Sequence, residues 1–360
     1  MPAPFEAIRV ESIPAPDLEP GSALLEVLYS EVCGTDVHIH HGRLAGVPFP
    51  IIPGHVSVGR IAELPSPITD VDGVPFREGD IVTFLDVHGT CNRCYQCLVA
   101  RQTTRCPHRR VYGITYGSRD GLLGGWAEAL WMKPGVHMLH LPPDLDAETF
   151  IGGGCGLVTA VHAVERAGLR IGHTVAVLGA GPVGQSAVAL AAVGGAERVI
   201  AIGDPQSRLD FALRMGATDV IGLDVPPSHR TEAVMTLTGG RGVDIAIEAA
   251  GAPEAVSQAL DLVRDGGRVV VCGQYTDAGD TTINPHRQVN RRHVELFGCW
   301  GSDLSHLHRA VRVAARHSQR VPWREMIGAR HGLDGAGKAL DAVAGRAVTK
   351  AVIIPRLPAT

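Results

Sequence analysis

The sequence predicts an α/β protein with two differently built parts, a β-rich first half and a doubly wound parallel sheet in the second half. Up to about residue 155, short apolar strand candidates alternate with turn-rich segments such as PSPITDVDGVP. From about residue 170, apolar strands alternate with helical stretches, which is typical of a parallel sheet covered by helices on both faces. A chain of 360 residues also exceeds one ordinary core, so about two domains are expected.

The order of the candidate elements gives the predicted domain boundaries. The first domain, residues 1–157, contains strand candidates such as LLEVLYSEV and GDIVTFLDV and a cysteine-rich lobe at about 88–110. The second domain, residues 158–300, begins with the strand VAVL, a glycine turn and a helix, and continues with strands such as RVIAI and GRVVVCGQ. Residues 301–360 leave this rhythm, and we expect their helices and the strand KAVIIP to pack back onto the first domain.

Composition and charge exclude several classes of function. The net charge of −4, from 33 Lys and Arg against 37 Asp and Glu, provides no basic field for nucleic acid or an anionic membrane. No apolar run reaches the ~18 residues that suggest a membrane span, and the first residues lack the apolar core of a signal peptide. We therefore expect a cytoplasmic protein that acts on a small molecule, with neither nucleic acid nor membrane as a partner.

Four cysteines lie within the sixteen-residue run CNRCYQCLVARQTTRC, and they are Cys91, Cys94, Cys97 and Cys106. Gaps of two residues let a tight turn direct successive thiolates at one point, and four thiolates close a tetrahedral Zn²⁺ shell. A closed shell leaves no position for substrate, so this zinc is predicted to be structural. Disulfides or free thiols are the alternative, and a reducing compartment favours metal.

A glycine-rich loop follows the strand VAVL and opens a helix. Gly179 allows the sharp turn, Gly181 removes a side chain that would block a pyrophosphate, and Gly184 lets helix and strand approach closely. The N-terminus of the helix supplies unpaired N–H groups to the phosphates. The loop predicts a dinucleotide site formed by Gly179, Gly181, Pro182, Val183 and Gly184. An ordinary tight turn is the alternative.

The residues after the second strand of this unit bear on the choice of cofactor. RVIAI ends at Gly203 and Asp204, and an acidic side chain at this place accepts the ribose hydroxyls and repels a 2′-phosphate. Arg208 is the nearby cation that would attract a phosphate. We therefore expect Asp204 and Arg208 to line the cofactor site, and the sequence favours NAD over NADP.

A second metal site is predicted from Cys33, His55 and Cys155. Two thiolates and one imidazole leave a fourth position open for water or an alcohol, the arrangement of a catalytic zinc. The three residues are far apart in sequence, so their spacing does not prove the site, but glycines in tight turns stand beside each of them. Cys272 and Cys299 lie in apolar strands and are predicted to be core thiols.

The residues around Cys33 supply candidates for proton transfer. Zinc at this site would polarise the substrate oxygen, and a nicotinamide ring would accept or donate the hydride. Thr35 and His38 are placed to pass the alcohol proton outward, and Asp36 is placed to accept the second ring N–H of His55. Turn capping by Thr35 and a surface position for His38 are the alternatives.

Together, the motifs CGTDVH, PGH, the four-cysteine lobe, GCGLVTA and GAGPVG resemble the zinc-dependent medium-chain alcohol dehydrogenase family, within the medium-chain dehydrogenase/reductase superfamily. The resemblance implies a GroES-like catalytic domain, a Rossmann domain, two zinc ions per chain and an NAD(P)-dependent alcohol dehydrogenase. It assigns the ligands and relay residues named above to those roles. It also implies that Thr159 lies near the nicotinamide, that Lys350 contacts the pyrophosphate, and that the chain forms a homodimer or homotetramer.

The chain departs from this family at three points. Val56 follows the zinc histidine where the family usually has a glutamate, a carboxylate thought to assist ligand exchange at the metal. The gap from Cys97 to Cys106 is one residue longer than usual. Gly203 aligns with the acidic residue of NAD-preferring members, so NADP stays open even though Asp204 follows it.

Three functions are compatible with these features. The first is zinc-dependent transfer of a hydride between an alcohol, or its aldehyde or ketone, and a nicotinamide cofactor. The second is a zinc-free quinone or enone reductase of the same superfamily, which the presence of Cys33, His55 and Cys155 disfavours. The third is a non-catalytic dinucleotide-binding protein, which only Val56 favours. Histidines 38, 40 and 41 with Arg43 predict a polar rim, suited to a hydroxylated or anionic substrate.

Overall fold

The computed structural model describes residues 1–357, and the chain divides into two compact units. The first unit contains residues 1–154, 302–318 and 323 onward, and the second contains residues 155–301 and 319–322. The sequence predicted boundaries after residues 157 and 300, whereas the contacts of the chain divide it after residues 154 and 301.

The described residues form fifteen strands and nine α-helices. The strands are β1 Ala23–Val32, β2 Ser57–Glu63, β3 Ile81–Phe84, β4 Val87–His88, β5 Arg110–Val111, β6 Ala129–Met132, β7 Met138–His140, β8 Thr174–Leu178, β9 Arg198–Gly203, β10 Asp219–Gly222, β11 Val243–Glu248, β12 Val263–Val271, β13 Glu295–Gly298, β14 Ile327–His331 and β15 Lys350–Ile353. The helices are α1 Gly34–His40, α2 Tyr95–Leu98, α3 Ala147–Ala167, α4 Pro182–Val193, α5 Gln206–Met215, α6 Pro227–Leu237, α7 Pro253–Leu262, α8 Leu304–His317 and α9 Ala336–Ala344. Shorter turns are the 3-10 segments Thr103–Arg105, Ser118–Asp120, Trp323–Met326 and Leu333–Gly335, and the π-helical segment Pro285–Asn290.

The first unit is built on a mixed sheet in the order β14-β15-β1-β2-β3-β7, with β6 also paired to β1. Along β1, buried and partly buried residues alternate at first, as expected for a strand with one face on the core. The last three residues of β1 are all buried, and there the strand pairs antiparallel with β15. The C-terminal strand therefore returns to the first unit and covers the end of β1.

The second unit is a six-stranded sheet in the order β10-β9-β8-β11-β12-β13, and every neighbouring pair is parallel. Strands β8, β9 and β11 are almost wholly buried and rich in valine, isoleucine and alanine, as expected when helices cover both faces. The strand order reverses at β8, which places a crevice at the carboxyl end of that strand. The predicted α/β class, with a β-rich part and a doubly wound parallel part, is confirmed.

Helix α3 is long and apolar, and it is broken in the middle. Gly154 has φ 48° and ψ −140°, which are not helical values. By length and apolar composition alone the helix would be able to cross a membrane, but 72% of its most apolar stretch is buried inside the molecule. It is therefore a core helix. Its kink lies at Gly154, directly before Cys155.

Candidate metal and cofactor sites

Cys33, His55 and Cys155, predicted as an open metal site, come together in the structure. Their ligand atoms all lie within 4.8 Å of one another, and Cys33 Sγ is 3.9 Å from His55 Nε2. Cys33 and His55 are buried, and Cys155 is partly buried. Cys155 directly follows Gly154, the last residue of the segment 1–154 that belongs to the first unit.

Local structure explains how two of these ligands are presented. Cys33 caps the N-terminus of α1 in an extended conformation, and its N–H donates to Asp36 Oδ2 at 2.9 Å. His55 precedes β2 and follows Gly54, whose φ is +91°. A Cβ at Gly54 would lie 2.5 Å from the Trp126 ring, so this tight turn requires glycine.

The charges around His55 affect one another strongly. Burial raises the pKa of Asp36 to about 8, and the negative sulfur of Cys33 adds to the rise. Burial by itself lowers the pKa of His55, but the charge and hydrogen bond of Cys33 outweigh it and raise that pKa to about 10. The donor set therefore attracts a positive charge to the space that the two sulfurs and the imidazole share.

The predicted hydrogen bond from His55 to Asp36 is not formed. His55 Nδ1 and Asp36 Oδ1 are both buried, and neither has a hydrogen-bond partner among the described residues. The Asp36 carboxylate instead caps α1 through its other oxygen. A role for Asp36 in orienting His55 stays a prediction.

The residues present fit a zinc ion. Two sulfurs and one imidazole nitrogen are typical zinc ligands, and ligand atoms that share one tetrahedral zinc lie about 3.6–3.8 Å apart. The Cys33–His55 separation of 3.9 Å is close to that spacing. Three protein ligands would leave a fourth position for an oxygen of the substrate.

The four-cysteine lobe forms a second cluster. Cys94 Sγ lies 3.5 Å from Cys97 Sγ, Cys106 Sγ lies 3.6 Å from Cys91 Sγ, and all four sulfurs lie within 4.8 Å. Helix α2 starts directly after Cys94, and the 3-10 turn Thr103–Arg105 leads into Cys106. All eight cysteines of the chain lie in the described part and none forms a disulfide. The longer gap before Cys106 does not prevent the cluster from closing.

The predicted relay residues both lie on α1 and are partly buried. Burial, and then the charge of Arg43, lower the pKa of His38. Near the end of the helix, the Phe5 ring stacks on His41 with 5.4 Å between ring centroids. The predicted polar rim therefore includes an aromatic ring that the sequence did not indicate.

The glycine loop has the geometry that its sequence predicts. Gly179 has φ +116°, and a Cβ there would lie 2.6 Å from the Ala249 backbone. A Cβ at Gly184 would collide with the carbonyl oxygen of Gly179, so helix α4 packs directly on the strand end. At Gly181 a Cβ would meet nothing within 4 Å. The open space at Gly181 lies at the N-terminus of α4, where Pro182 and Val183 begin the helix, and at the point where the strand order reverses.

Gly203 and Asp204 stand at the carboxyl end of β9. A Cβ at Gly203 would lie 2.9 Å from Ala180 Cβ and 3.1 Å from Ala180 N, so the glycine loop leaves no room for a side chain there. Asp204 is exposed, and Arg208 is partly buried with its carbonyl bound by Gln185 Nε2 at 2.7 Å. Asp204 is thus the acidic side chain that follows this strand.

Thr159 and Lys350 occupy very different environments. Thr159 is partly buried and lies one helical turn after Cys155 on α3. Lys350 was expected at the cofactor pyrophosphate, but its side chain is fully buried and its Nζ lies 2.8 Å from Glu31 Oε1. The contact of Lys350 with the pyrophosphate stays a prediction. In the structure, the partner of the Lys350 ammonium is the buried carboxylate of Glu31.

Sequence reasoning missed Glu31. A carboxylate near the end of a strand candidate, two residues before a predicted metal ligand, was the signal that could have found it.

Comparisons with known proteins agree with this architecture. The protein-family model described as "Alcohol dehydrogenase GroES-like domain" matches residues 19–143. The family model described as "Zinc-binding dehydrogenase" matches residues 182–316. Together the matches cover most of the chain, and they correspond to the β-rich part and to the parallel-sheet part. The chain belongs to the zinc-dependent medium-chain dehydrogenase family, as the sequence predicted.

Several proteins of this family resemble the chain over much of its length. It is 36% identical over 353 residues to 5-exo-hydroxycamphor dehydrogenase of Pseudomonas putida, covering 97% of this chain and 96% of the relative. It is 33% identical over 268 residues to L-threonine 3-dehydrogenase of Bacillus licheniformis, covering 72% and 71%. A crystal structure of an alcohol dehydrogenase from Thermotoga maritima superposes with a TM-score of 0.94 at 30% identity, covering 99% and 98%. The predicted reaction class, an oxidoreductase that acts on the CH–OH group of an alcohol, is confirmed.

Proposed function

We propose that this chain interconverts a secondary alcohol and its ketone, with zinc at Cys33, His55 and Cys155 and NAD as the hydride carrier. The observation that carries the proposal is the three-ligand cluster, which brings the ligand atoms of positions 33, 55 and 155 within 4.8 Å. Zinc held by these residues would supply a Lewis acid for the substrate oxygen, and a bound nicotinamide would supply the acceptor for the hydride.

The chain's own residues orient the metal and move the proton. Cys33 and Cys155 would supply negative charge, and His55 would contribute its imidazole nitrogen after the metal displaces the ring proton. Oxidation of the alcohol releases one proton in addition to the transferred hydride, and Thr35 and His38 pass this proton towards solvent. The lowered pKa of His38 keeps its imidazole neutral and able to accept a proton near neutral pH.

A second zinc ion is proposed for Cys91, Cys94, Cys97 and Cys106. The S···S distances of 3.5 and 3.6 Å suit a closed shell of four thiolates, which has no catalytic position. The enzyme would therefore contain two zinc ions per chain. Zinc at Cys33, His55 and Cys155 would distinguish the proposed enzyme from a zinc-free reductase of the same superfamily.

NAD is proposed as the cofactor because an acidic side chain follows β9. Asp204 is exposed at the strand end and would accept the ribose hydroxyls, whereas a 2′-phosphate would meet its negative charge. Position 203 has no room for an acidic side chain, because a Cβ there would press on Ala180. The site would also include Thr159 and the glycine loop.

The substrate class is proposed from the relatives and from one aromatic pair. Hydroxycamphor and threonine, which the relatives' names give, each carry their reacting hydroxyl on a secondary carbon. In the second unit, Tyr275 and Trp300 follow β12 and β13, and their rings stack at 5.6 Å with an angle of 12°. Ligands of doubly wound sheets bind at this edge. The pair would therefore offer a flat apolar surface to a ring-shaped alcohol.

Location and assembly are also proposals. Eight cysteines without a disulfide suit the reducing cytoplasm. We expect a homodimer or homotetramer, because family members usually assemble in this way. Light scattering on the purified protein measures this directly.

A cofactor and alcohol panel with zinc analysis on the same sample tests the proposal. Two zinc ions per chain with NAD⁺-dependent turnover of secondary alcohols would support it. One zinc or none, with reduction of quinones or enones, would favour the zinc-free reductase. Two zinc ions without turnover of any alcohol would favour the non-catalytic protein.

A further inference from the structure

A fully buried ion pair lies beside the three-ligand cluster. Lys350 Nζ on β15 is 2.8 Å from Glu31 Oε1 on β1, and both side chains have an exposed fraction of 0%. Replacing such a pair with apolar side chains is often neutral or stabilising, so its presence is weak evidence for a role in stability. A role in fixing local geometry is therefore the more informative hypothesis.

The lysine end of the pair holds the chain that leads to Cys155. Nζ also donates to the carbonyl oxygens of Ile151 at 3.1 Å and of Gly153 at 3.0 Å. An ammonium has three N–H donors, so these two carbonyls and Glu31 account for all three. The bound carbonyls come directly before Gly154, where α3 kinks, and Cys155 follows the kink.

The glutamate end of the pair lies on the strand that borders the other two ligand segments. Glu31 precedes Cys33 by two residues on the same strand, and its N–H donates to the carbonyl of Val56 at 3.0 Å. Val56 is the residue after His55. A Cβ at Gly154 would collide with the Glu31 carboxylate, so this side chain also packs on the kink itself. Glu31 is thus in contact with, or within two residues of, every segment that carries a ligand.

We infer that Glu31 and Lys350 are positioning residues that hold the three metal ligands at their mutual spacing; this rests on the proposed function. The pair acts through the backbone, since it binds two carbonyls before Cys155 and lies in the strand that ends at Cys33. Removal of the pair is expected to loosen zinc at this site and to leave zinc in the four-cysteine lobe unchanged.

The test measures zinc release from the purified, zinc-loaded full chain. Wild type and E31Q are mixed with a chromogenic zinc chelator, and the two release phases are assigned with Cys155→Ala, which retains only the lobe zinc. We expect E31Q to release zinc from the three-ligand site about 10–100-fold faster, which is the range by which substitutions around metal ligands lower metal affinity. The release phase of the lobe stays at its wild-type rate.

Glu148→Gln provides a matched control. Glu148 is also a buried carboxylate on α3, and it pairs with Arg324 and Arg330 at the start of the helix. Its loss is expected to lower thermal stability while both zinc phases keep their rates. A merely structural role for Glu31 would make E31Q behave like this control.

A second variant covers the case in which E31Q does not fold. The double variant E31Q/K350M removes both charges, and it is expected to fold and still release zinc faster. If wild type holds two zinc ions and the variants that fold release them at wild-type rates, the inference is wrong and the proposed function stands. If wild type holds zinc only in the lobe, the proposed function fails and the inference fails with it.

Discussion

The four-cysteine lobe and the three-ligand cluster use similar donor atoms, but the chain assembles them differently. The lobe takes its ligands from residues 91–106, where a short helix and a 3-10 turn place them side by side. The cluster takes its ligands from positions 33, 55 and 155, at a strand end, a glycine turn and a helix kink. The lobe therefore depends on local turns, whereas the cluster depends on the folded sheet of the first unit and on the packing around it.

This difference predicts how the two sites respond to the substitution of a ligand. Metal binding in a locally encoded site is coupled to the folding of its own segment. In a site assembled from distant segments, the fold exists first and the metal adds chemistry. Variants of the lobe should therefore reduce stability, and variants of the cluster should reduce turnover.

The largest expected effect is on turnover, in Cys155→Ala. This variant removes one thiolate from the three-ligand site, and the loss of Lewis-acid catalysis should lower kcat at least about 10³-fold. Zinc content should fall from two ions to one, with little change in thermal stability. Cys299→Ala, at a buried core thiol, is the control and should keep both ions. Wild-type turnover in Cys155→Ala would remove the basis of the metal mechanism.

The lobe should show the opposite pattern in Cys94→Ala. Loss of one of its ligands releases the structural zinc, and the free energy of unfolding should fall by several kcal/mol, on the order of 3–5, because the lobe then lacks its cross-link. Hydrogen exchange should become fast within residues 91–106 and remain slow in the sheet of the second unit. A stable Cys94→Ala protein with fully protected lobe amides would show that side-chain packing, not metal, holds the lobe.

The same distinction explains how much the sequence could predict. Spacing alone indicated the lobe, and the glycine loop was predictable because a local turn imposes its conformation. The three-ligand site was predicted from its donor types, from the glycines beside them and from the family resemblance, and not from spacing. Strand order in the first unit was not predictable, because one partner of β1 is β15, which lies more than 300 residues further along the chain.

Lys350 shows where sequence reasoning fails for a physical reason. A lysine next to the apolar residues of KAVIIP gives no sign of its partner in the sequence. Because β15 lies between β14 and β1 in the sheet, all four of its residues are buried. The charge must then find a partner in the interior, and that partner, Glu31, comes from the far end of the chain.

A smaller effect is expected at the proton relay, in His38→Gln. The pKa of His38 is lowered from its ordinary 6.5 by burial and then by Arg43. Its neutral form therefore predominates above that lowered pKa, and alcohol oxidation should decline as the pH falls through it. His38→Gln should lower kcat about 10²-fold and remove this acid limb.

His40→Gln is the matched control for the relay, since His40 lies on the same helix and is also partly buried. It should keep the wild-type pH profile of kcat. A His38→Gln enzyme with the same acid limb as wild type would assign that limb to another group, and the relay would have to be sought elsewhere.

The smallest expected effect concerns cofactor choice, in Asp204→Ser. Gly203 cannot carry a side chain without pressing on Ala180, so Asp204 is the only carboxylate at the end of this strand within the described residues. Its removal should reduce the ratio of kcat/KM for NAD⁺ to that for NADP⁺ about tenfold, or about 1.4 kcal/mol, near the lower end of the range for a hydrogen bond to a charged group. Asp210→Ser, at an exposed carboxylate on α5, is the control and should leave the ratio unchanged. An equal preference in both variants would mean that the backbone of the glycine loop, and not the acidic residue after β9, selects the cofactor. The cofactor site would then be as fully encoded by local turns as the four-cysteine lobe.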